Sequence, residues 1–148
     1  MDSYLEKIYH YCAYQERCHS EVRNKLLELS YHGDELENVM SRLIEEDYLN
    51  EERYARSYSR GKFYNNKWGR NKIVQNLKFK GVSAYCIQKG LSEIDEEDYQ
   101  NLIKELFQKK KESLSSEKNI WTKKSKIKNY LIQKGFEQQL IFELLNKL

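Results

Sequence analysis

The stretch Lys72-Ile73-Val74-Gln75-Asn76-Leu77-Lys78-Phe79-Lys80-Gly81-Val82 returns 54 residues later as Lys126-Ile127-Lys128-Asn129-Tyr130-Leu131-Ile132-Gln133-Lys134-Gly135-Phe136. Ile73 falls on Ile127, Leu77 on Leu131, and Lys80-Gly81-Val82 on Lys134-Gly135-Phe136. Apolar positions four apart, closed by glycine, describe a helix that ends in a left-handed cap, which glycine adopts without a Cβ penalty. Beyond the cap, Ile87 falls on Ile141 in the same register. A step of 51 residues towards the N-terminus sets Val22, Leu26, Tyr31, Leu36 and Met40 against Ile73, Leu77, Val82, Ile87 and Leu91. A competing match of Ile87-Gln88-Lys89-Gly90 with Ile132-Gln133-Lys134-Gly135 needs an offset of 45 and puts Ile73 on Lys118 and Leu77 on Thr122. It loses the apolar positions, so the offset of 54 stands. The prediction is an all-α chain of three tandem three-helix repeats, at 1–48, 49–94 and 95–148. Each repeat is too thin for a full core and gains stability by stacking into an elongated, curved array.

Nine helices follow from the spacing. Ser3-Tyr4-Leu5-Glu6 is a capping box ahead of Leu5, Ile8, Tyr9 and Cys12, and Ser20 caps a second helix carrying Val22, Leu26 and Leu29. A third starts near Asp34, with Leu36, Val39, Met40, Leu43 and Ile44 on one face. Asn50 caps a fourth, with Tyr54, Ala55, Tyr58 and Phe63 inward, and a fifth runs from Arg70 with Ile73, Leu77 and Phe79. Ser83 caps a sixth with Ile87 and Leu91; Asp95 caps a seventh with Tyr99, Leu102, Ile103, Leu106 and Phe107. Thr122 opens the eighth, and a ninth carries Leu140, Ile141, Leu144 and Leu145. Proline is absent from all 148 residues, which suits helices joined by Gly, Ser and Asn.

No apolar run reaches bilayer-spanning length, and Met1-Asp2-Ser3 lacks the form of a signal peptide, so a cytoplasmic protein is expected. Cys12, Cys18 and Cys86 are odd in number and show no paired spacing, which argues against a disulfide framework. His10, Cys12, Cys18 and His19 cluster but lack Cys-x2-Cys spacing, so no metal is expected. The three histidines have no paired Ser or Cys that suggests a relay, and the carboxylates crowd helix starts, where the dipole accounts for them. With no Gly-rich phosphate loop either, the chain reads as a non-enzyme without cofactor.

Charge is where the residues speak of function. Arg53 to Ser92 holds ten Lys or Arg and no Asp or Glu, although the whole chain is only +3. Asp34 to Glu52 carries eight carboxylates against the single Arg42. A long block emptied of acid expects an anionic partner, nucleic acid or an acidic protein groove. The alternative is a set of solvated helix faces docked on acidic neighbours in the same fold. The repeat favours the first reading, because Arg70, Lys72 and Lys80 fall on Lys124, Lys126 and Lys134, with Lys123 and Lys128 beside them. Lys72 and Lys78 lie off the Ile73–Leu77 stripe and are expected outward, and Arg70 can reach water from the helix start. Arg23 and Lys25 are the nearest counterparts in the first repeat, while Arg53, Arg56, Lys67 and Trp68 complete the candidate surface. Tyr54 and Tyr58 are expected in the core, with Trp68 open between packing and base stacking.

Three further segments carry a resemblance. Glu21-Val22-Arg23-Asn24-Lys25-Leu26-Leu27, the joint Leu43-Ile44-Glu45-Glu46-Asp47-Tyr48-Leu49-Asn50-Glu51-Glu52-Arg53-Tyr54-Ala55-Arg56-Ser57, and the run from Gly69-Arg70-Asn71-Lys72-Ile73 to Lys80-Gly81-Val82 resemble the RecX family. The joint is the most specific, and the likeness extends over essentially the whole chain. The family often has Arg-Gly-Pro where this chain has Trp68-Gly69-Arg70. The resemblance implies a monomeric modulator, usually an inhibitor, of the RecA recombinase. Such proteins lie in the groove of the RecA–single-stranded DNA filament and limit ATP hydrolysis and strand exchange. Outward cations would meet DNA phosphates there, with weak, sequence-independent affinity for the strand. Two other readings remain: a DNA-binding helical-repeat protein acting without RecA, and a helical-repeat module for some other protein.

Overall fold

The computed structural model describes residues 3–148, whose regular structure is all helix, with no strand among them. The helices are α1 (Ser3–Tyr14), α2 (His19–Glu28), α3 (Gly33–Glu45), α4 (Glu51–Tyr64), α5 (Arg70–Phe79), α6 (Ala84–Leu91), α7 (Glu96–Ser113), α8 (Ile120–Lys134) and α9 (Gln138–Leu145). None is long and apolar enough to cross a membrane. The all-α helical-repeat class read from the sequence is what the chain adopts.

The helix ends follow side-chain chemistry. Asn50 Oδ1 accepts from Arg53 N at 2.9 Å, Ser83 Oγ from Cys86 N at 3.2 Å and Asp95 Oδ2 from Asp98 N at 3.0 Å, so the expected caps of α4, α6 and α7 are in place. Gly81 and Gly135 hold φ of +79° and +100°, the left-handed turns their position after Lys80 and Lys134 implied. Two expectations are corrected. Ser20 does not cap α2: the helix starts at His19, and the Cys18 amide donates to Glu21 Oε1 at 3.1 Å. Thr122 does not open α8 either; Asn119 Oδ1 accepts from the amides of Trp121 and Thr122 at 2.9 and 3.2 Å, starting the helix at Ile120.

The chain divides into two compact units, one of Met1–Tyr58 with Leu77–Gly90, the other of Ser59–Asn76 with Leu91–Leu148. In the first, α2 packs on α1 and α3, around Ile8, Cys12, Val22, Leu26, Tyr31, Leu36, Val39, Met40, Leu43 and Leu49. In the second, α8 packs on α7 and α9, and buries Ile127, Leu131, Phe136 and Ile141 with Ile103 and Leu106 of α7. Tyr99 stands at the middle of that unit, its ring stacked on Phe63 at 5.6 Å and tilted on Phe136 at 5.4 Å. Fully burying one Leu or Ile contributes about 1.5–3 kcal/mol, so the regular apolar frame accounts for most of the cohesion.

Two residues expected inside are outside. Ile44 is exposed, and Phe79 is 92% exposed. Phe79 lies two positions after Leu77, more than a quarter turn past the buried stripe, and α5 ends on it.

A second offset emerges in the first helices of the later repeats. Asn50 and Asp95 are both caps, and Tyr54 and Tyr99 are both buried, each pair 45 residues apart. The middle helices keep 54, and the difference is taken up by α7, which spans 18 residues where α4 spans 14, and by the start of α8.

Candidate nucleic-acid interface

Backbone geometry builds the site. In the second unit the α4–α5 joint crosses the α8–α9 joint so closely that Gly69 N donates to Lys134 O at 2.7 Å and Asn71 N to Gly135 O at 2.9 Å. A Cβ on Gly69 would stand 2.4 Å from Gly135 C, and one on Gly135 would stand 2.3 Å from Lys72 Cβ. The crossing therefore needs glycine on both sides, Gly69 for close approach and Gly135 for approach and for its positive φ. In the first unit the equivalent carbonyl, Lys80 O, accepts from Ser20 Oγ at 2.8 Å. That contact explains why Ser20 is not the cap.

The arginines among the candidate residues are held by carboxylates. Arg23 pairs with Glu37, Arg53 with Glu16 at 2.6 Å and Asp47 at 3.1 Å, and Arg56 with Glu52 at 3.0 Å. Arg70, which the sequence sends towards water, is half-buried: Nη1 donates to Glu96 and Nε to Glu137, both at 3.0 Å, with the guanidinium 3.8 Å from the Tyr99 ring centroid. Burial opposes its charge, and the carboxylates outweigh burial to leave Arg70 above its ordinary pKa. The Tyr99 hydroxyl accepts from Arg70 N at 2.9 Å and donates to Glu137; burial first, then that carboxylate, raises its pKa. These arginines are components of the fold.

The lysines are different. Lys25 pairs with Glu28 at 3.5 Å and Lys126 with Glu117 at 3.8 Å. Among the described residues no carboxylate pairs with Lys67, Lys72, Lys78, Lys80, Lys123, Lys124 or Lys128. Lys78 is exposed on α5, Lys124 lies 6.0 Å from the exposed Trp121 ring and Lys128 5.4 Å from Phe142. Trp68, left open by the sequence, is half-buried, with the Lys72 and Lys62 ammoniums 4.4 and 4.8 Å from its centroid. Its ring engages cations, and Lys72 leans on it instead of standing clear in solvent. Lys134 donates to Asn66 O at 3.1 Å; burial, then the Lys72 and Lys67 charges, pull its pKa down. Lys62, Lys134 and Asn66 are the members that the candidate set missed, and the recurrence of Lys80 at Lys134 was the signal for one of them. Groups of His, Cys, Asp and Glu able to hold a metal are absent among the described residues.

Two family models match the chain: RecX, second three-helix domain, over residues 50–91, and RecX, third three-helix domain, over 96–145. A curated Regulatory protein RecX from Clostridium perfringens is 32% identical over 129 residues, covering 86% of this chain and 60% of that protein. One from Bacillus cytotoxicus is 31% identical over 146 residues, covering 99% of this chain and 53% of that protein. The chain thus spans less than two thirds of the length of these relatives. The crystal structure of RecX from Lactobacillus salivarius superposes with a TM-score of 0.85 at 28% identity, over 100% of this chain and 98% of that one. Repeat register, fold and family models agree, and the chain belongs to the RecX family.

Proposed function

We propose that this protein regulates the RecA recombinase, lying in the groove of the RecA–single-stranded DNA filament and lowering its ATPase and strand exchange. The observation that carries the reading is the match of the RecX models to the two repeats that hold Arg53–Ser92 and Lys118–Phe136, neither of which contains an Asp or Glu. The pairing pattern supports it. A groove lined with phosphates and acidic protein surface needs uncommitted cations, and lysines without carboxylate partners supply them on α5 and α8.

The test is single-stranded-DNA-dependent ATPase of the cognate RecA, titrated with the protein and with two variants, Lys78→Glu with Lys80→Glu and Lys123→Glu with Lys124→Glu. Arg70 is left intact, because reversing it would set three carboxylates together. The protein should inhibit, and each folded variant should need several-fold more protein for the same effect. No effect of the unaltered chain on ATPase, with tight binding to bare DNA, would replace this reading with a repeat protein that acts on DNA without RecA.

A further inference from the structure

The crossing of Gly69 and Gly135 gathers lysines that form no ion pair among the described residues. It fixes Lys72 at the start of α5 beside Lys134 at the end of α8, and Lys67 stands one turn of chain away in a left-handed conformation, φ +60°. A non-glycine residue in that region is strained and persists only where its surroundings hold it. Lys67 N does so by donating to Phe63 O at 3.0 Å. Lys134 feels both Lys72 and Lys67. Glu105 is drawn to Lys67 but is paired with Lys109 at 3.0 Å. Lys134, set against two other lysines and bonded through its ammonium to a carbonyl, with Lys72 resting on the Trp68 ring, makes a site suited to an oxyanion.

Beside the trio lies a cleft of about 390 Å³ without a carboxylate in its lining. Asn71, Gln75, Asn76, Gln133 and Gln138 line it together with Lys72. Side-chain amides offer a donor and an acceptor on one plane, the pattern that nucleobase edges present. Asn76 Nδ2 is already given to Lys72 O at 2.9 Å, which leaves its oxygen.

We propose that Lys67, Lys72 and Lys134 hold one phosphate of a single nucleic-acid strand, with the adjoining base in the amide-lined cleft. The inference deepens the regulatory reading by naming which lysines meet DNA, and it rests on that reading only for the identity of the strand. A free nucleotide offers the same phosphate chemistry, so the experiment separates the two.

Binding of labelled oligothymidylate is followed by anisotropy without RecA, and the emission of Trp68 is read in a Trp121→Phe background. The strand should change that emission. Lys72→Gln with Lys134→Gln should weaken binding about tenfold and flatten the log–log salt slope by about 0.7, the loss of one phosphate contact. An abasic strand should bind more weakly to the unaltered protein, and Gln133→Ala with Gln138→Ala should erase that difference. Unchanged affinity and slope in the lysine variant, with helical circular dichroism intact, overturn the proposal. Equal binding of the abasic strand overturns the base cleft. Competition by adenosine triphosphate or inorganic phosphate at strand-like concentrations overturns the assignment to a strand. The same variants in the RecA ATPase assay keep the two readings apart: lost strand binding with inhibition retained supports the clamp and removes it from regulation. Strand binding by a chain that never inhibits RecA also supports the clamp, while sinking the regulatory reading alone.

Discussion

Gly69→Ala tests the crossing on which the site is built. The added methyl would lie 2.4 Å from the carbon and oxygen of Gly135 and 2.5 Å from Phe136 N, all backbone atoms that cannot swing aside. Ordinary contact begins at 3.4 Å, so the joints must part by about 1 Å. Parting breaks the bonds from Gly69 N to Lys134 O and from Asn71 N to Gly135 O, 2.7 and 2.9 Å long, each contributing about 1 kcal/mol. The strain of overpacking adds about 1–3 kcal/mol, giving a loss of about 3–5 kcal/mol. Gly61 is the internal control: it lies within α4, and a Cβ there meets nothing within 4 Å. Gly61→Ala should therefore stabilise by about 0.5–1 kcal/mol through lower chain entropy. Thermal unfolding read by Trp68 emission in a Trp121→Phe background reports on the second unit. Gly69→Ala should lower the midpoint by about 6–20 °C and Gly61→Ala raise it by about 1–4 °C. Equal midpoints for the two alanine variants would refute the close crossing.

Other expectations follow from the buried polar groups. Tyr99→Phe strands the amide of Arg70 and a carboxylate oxygen of Glu137, and should cost about 1–3 kcal/mol in chemical denaturation; a neutral result would mean water replaces the hydroxyl. Ser59, wholly buried in α4, has no hydrogen-bond partner for its hydroxyl among the described residues, so Ser59→Ala should be neutral or stabilising by up to about 1 kcal/mol, and a clear loss would reveal a partner. Burial pushes the Cys12 thiol from 9.0 up to about 11 and raises the Tyr54 and Tyr99 hydroxyls. Groups raised in the fold stabilise it fully below their unfolded pKa and lose that contribution as pH climbs through the folded value. Stability should then decline between about pH 9 and 11, and a flat circular-dichroism melting profile over that range would contradict it. At the acid end Glu37, held down by Arg23, and Glu96, held down by Gln100 and then Arg70, lose their contribution as pH falls below the ordinary carboxylate value of 4.5.

The fold was legible because apolar spacing and glycine punctuation are local. Ile73, Leu77, Gly81 and their counterparts at Ile127, Leu131 and Gly135 define helix, face and end within eleven residues each. Ser20 and Thr122 were misassigned because several residues near a helix start can cap it: Asn119 takes that role three residues before Thr122, and the Ser20 hydroxyl is engaged elsewhere. Its partner is the Lys80 carbonyl, 60 residues away, which no local pattern shows. Composition alone marked the candidate residues; their pairing needed geometry. A count of cations in Arg53–Ser92 cannot separate Arg70, pinned by carboxylates 26 and 67 residues on, from Lys72, which has none among the described residues.

The separation of arginine from lysine has a physical origin that bears on the function. A guanidinium presents a planar fork that fits a carboxylate and tolerates partial burial, so arginines are drawn into the joints between helices, as Arg53 and Arg70 are. An ammonium is strongly hydrated and is penalised by the same burial, so lysines stay at the rim. At Lys80 and Lys134 one residue does both tasks. Its carbonyl receives the hydrogen bond that stacks the neighbouring joint, and its side chain is left at the edge of that joint. Stacking and cation placement are thereby coupled in each unit, through one backbone position after which glycine turns the chain. Lys134→Met separates the two roles: the carbonyl, the crossing and the unfolding midpoint should persist, while the repulsion among Lys67, Lys72 and Lys134 is relieved and strand affinity drops. A midpoint that rises while affinity falls is the signature expected of a charge cluster kept for a ligand at the expense of the fold. A midpoint that falls by several degrees would show instead that the Lys134 ammonium on Asn66 O is itself part of the joint.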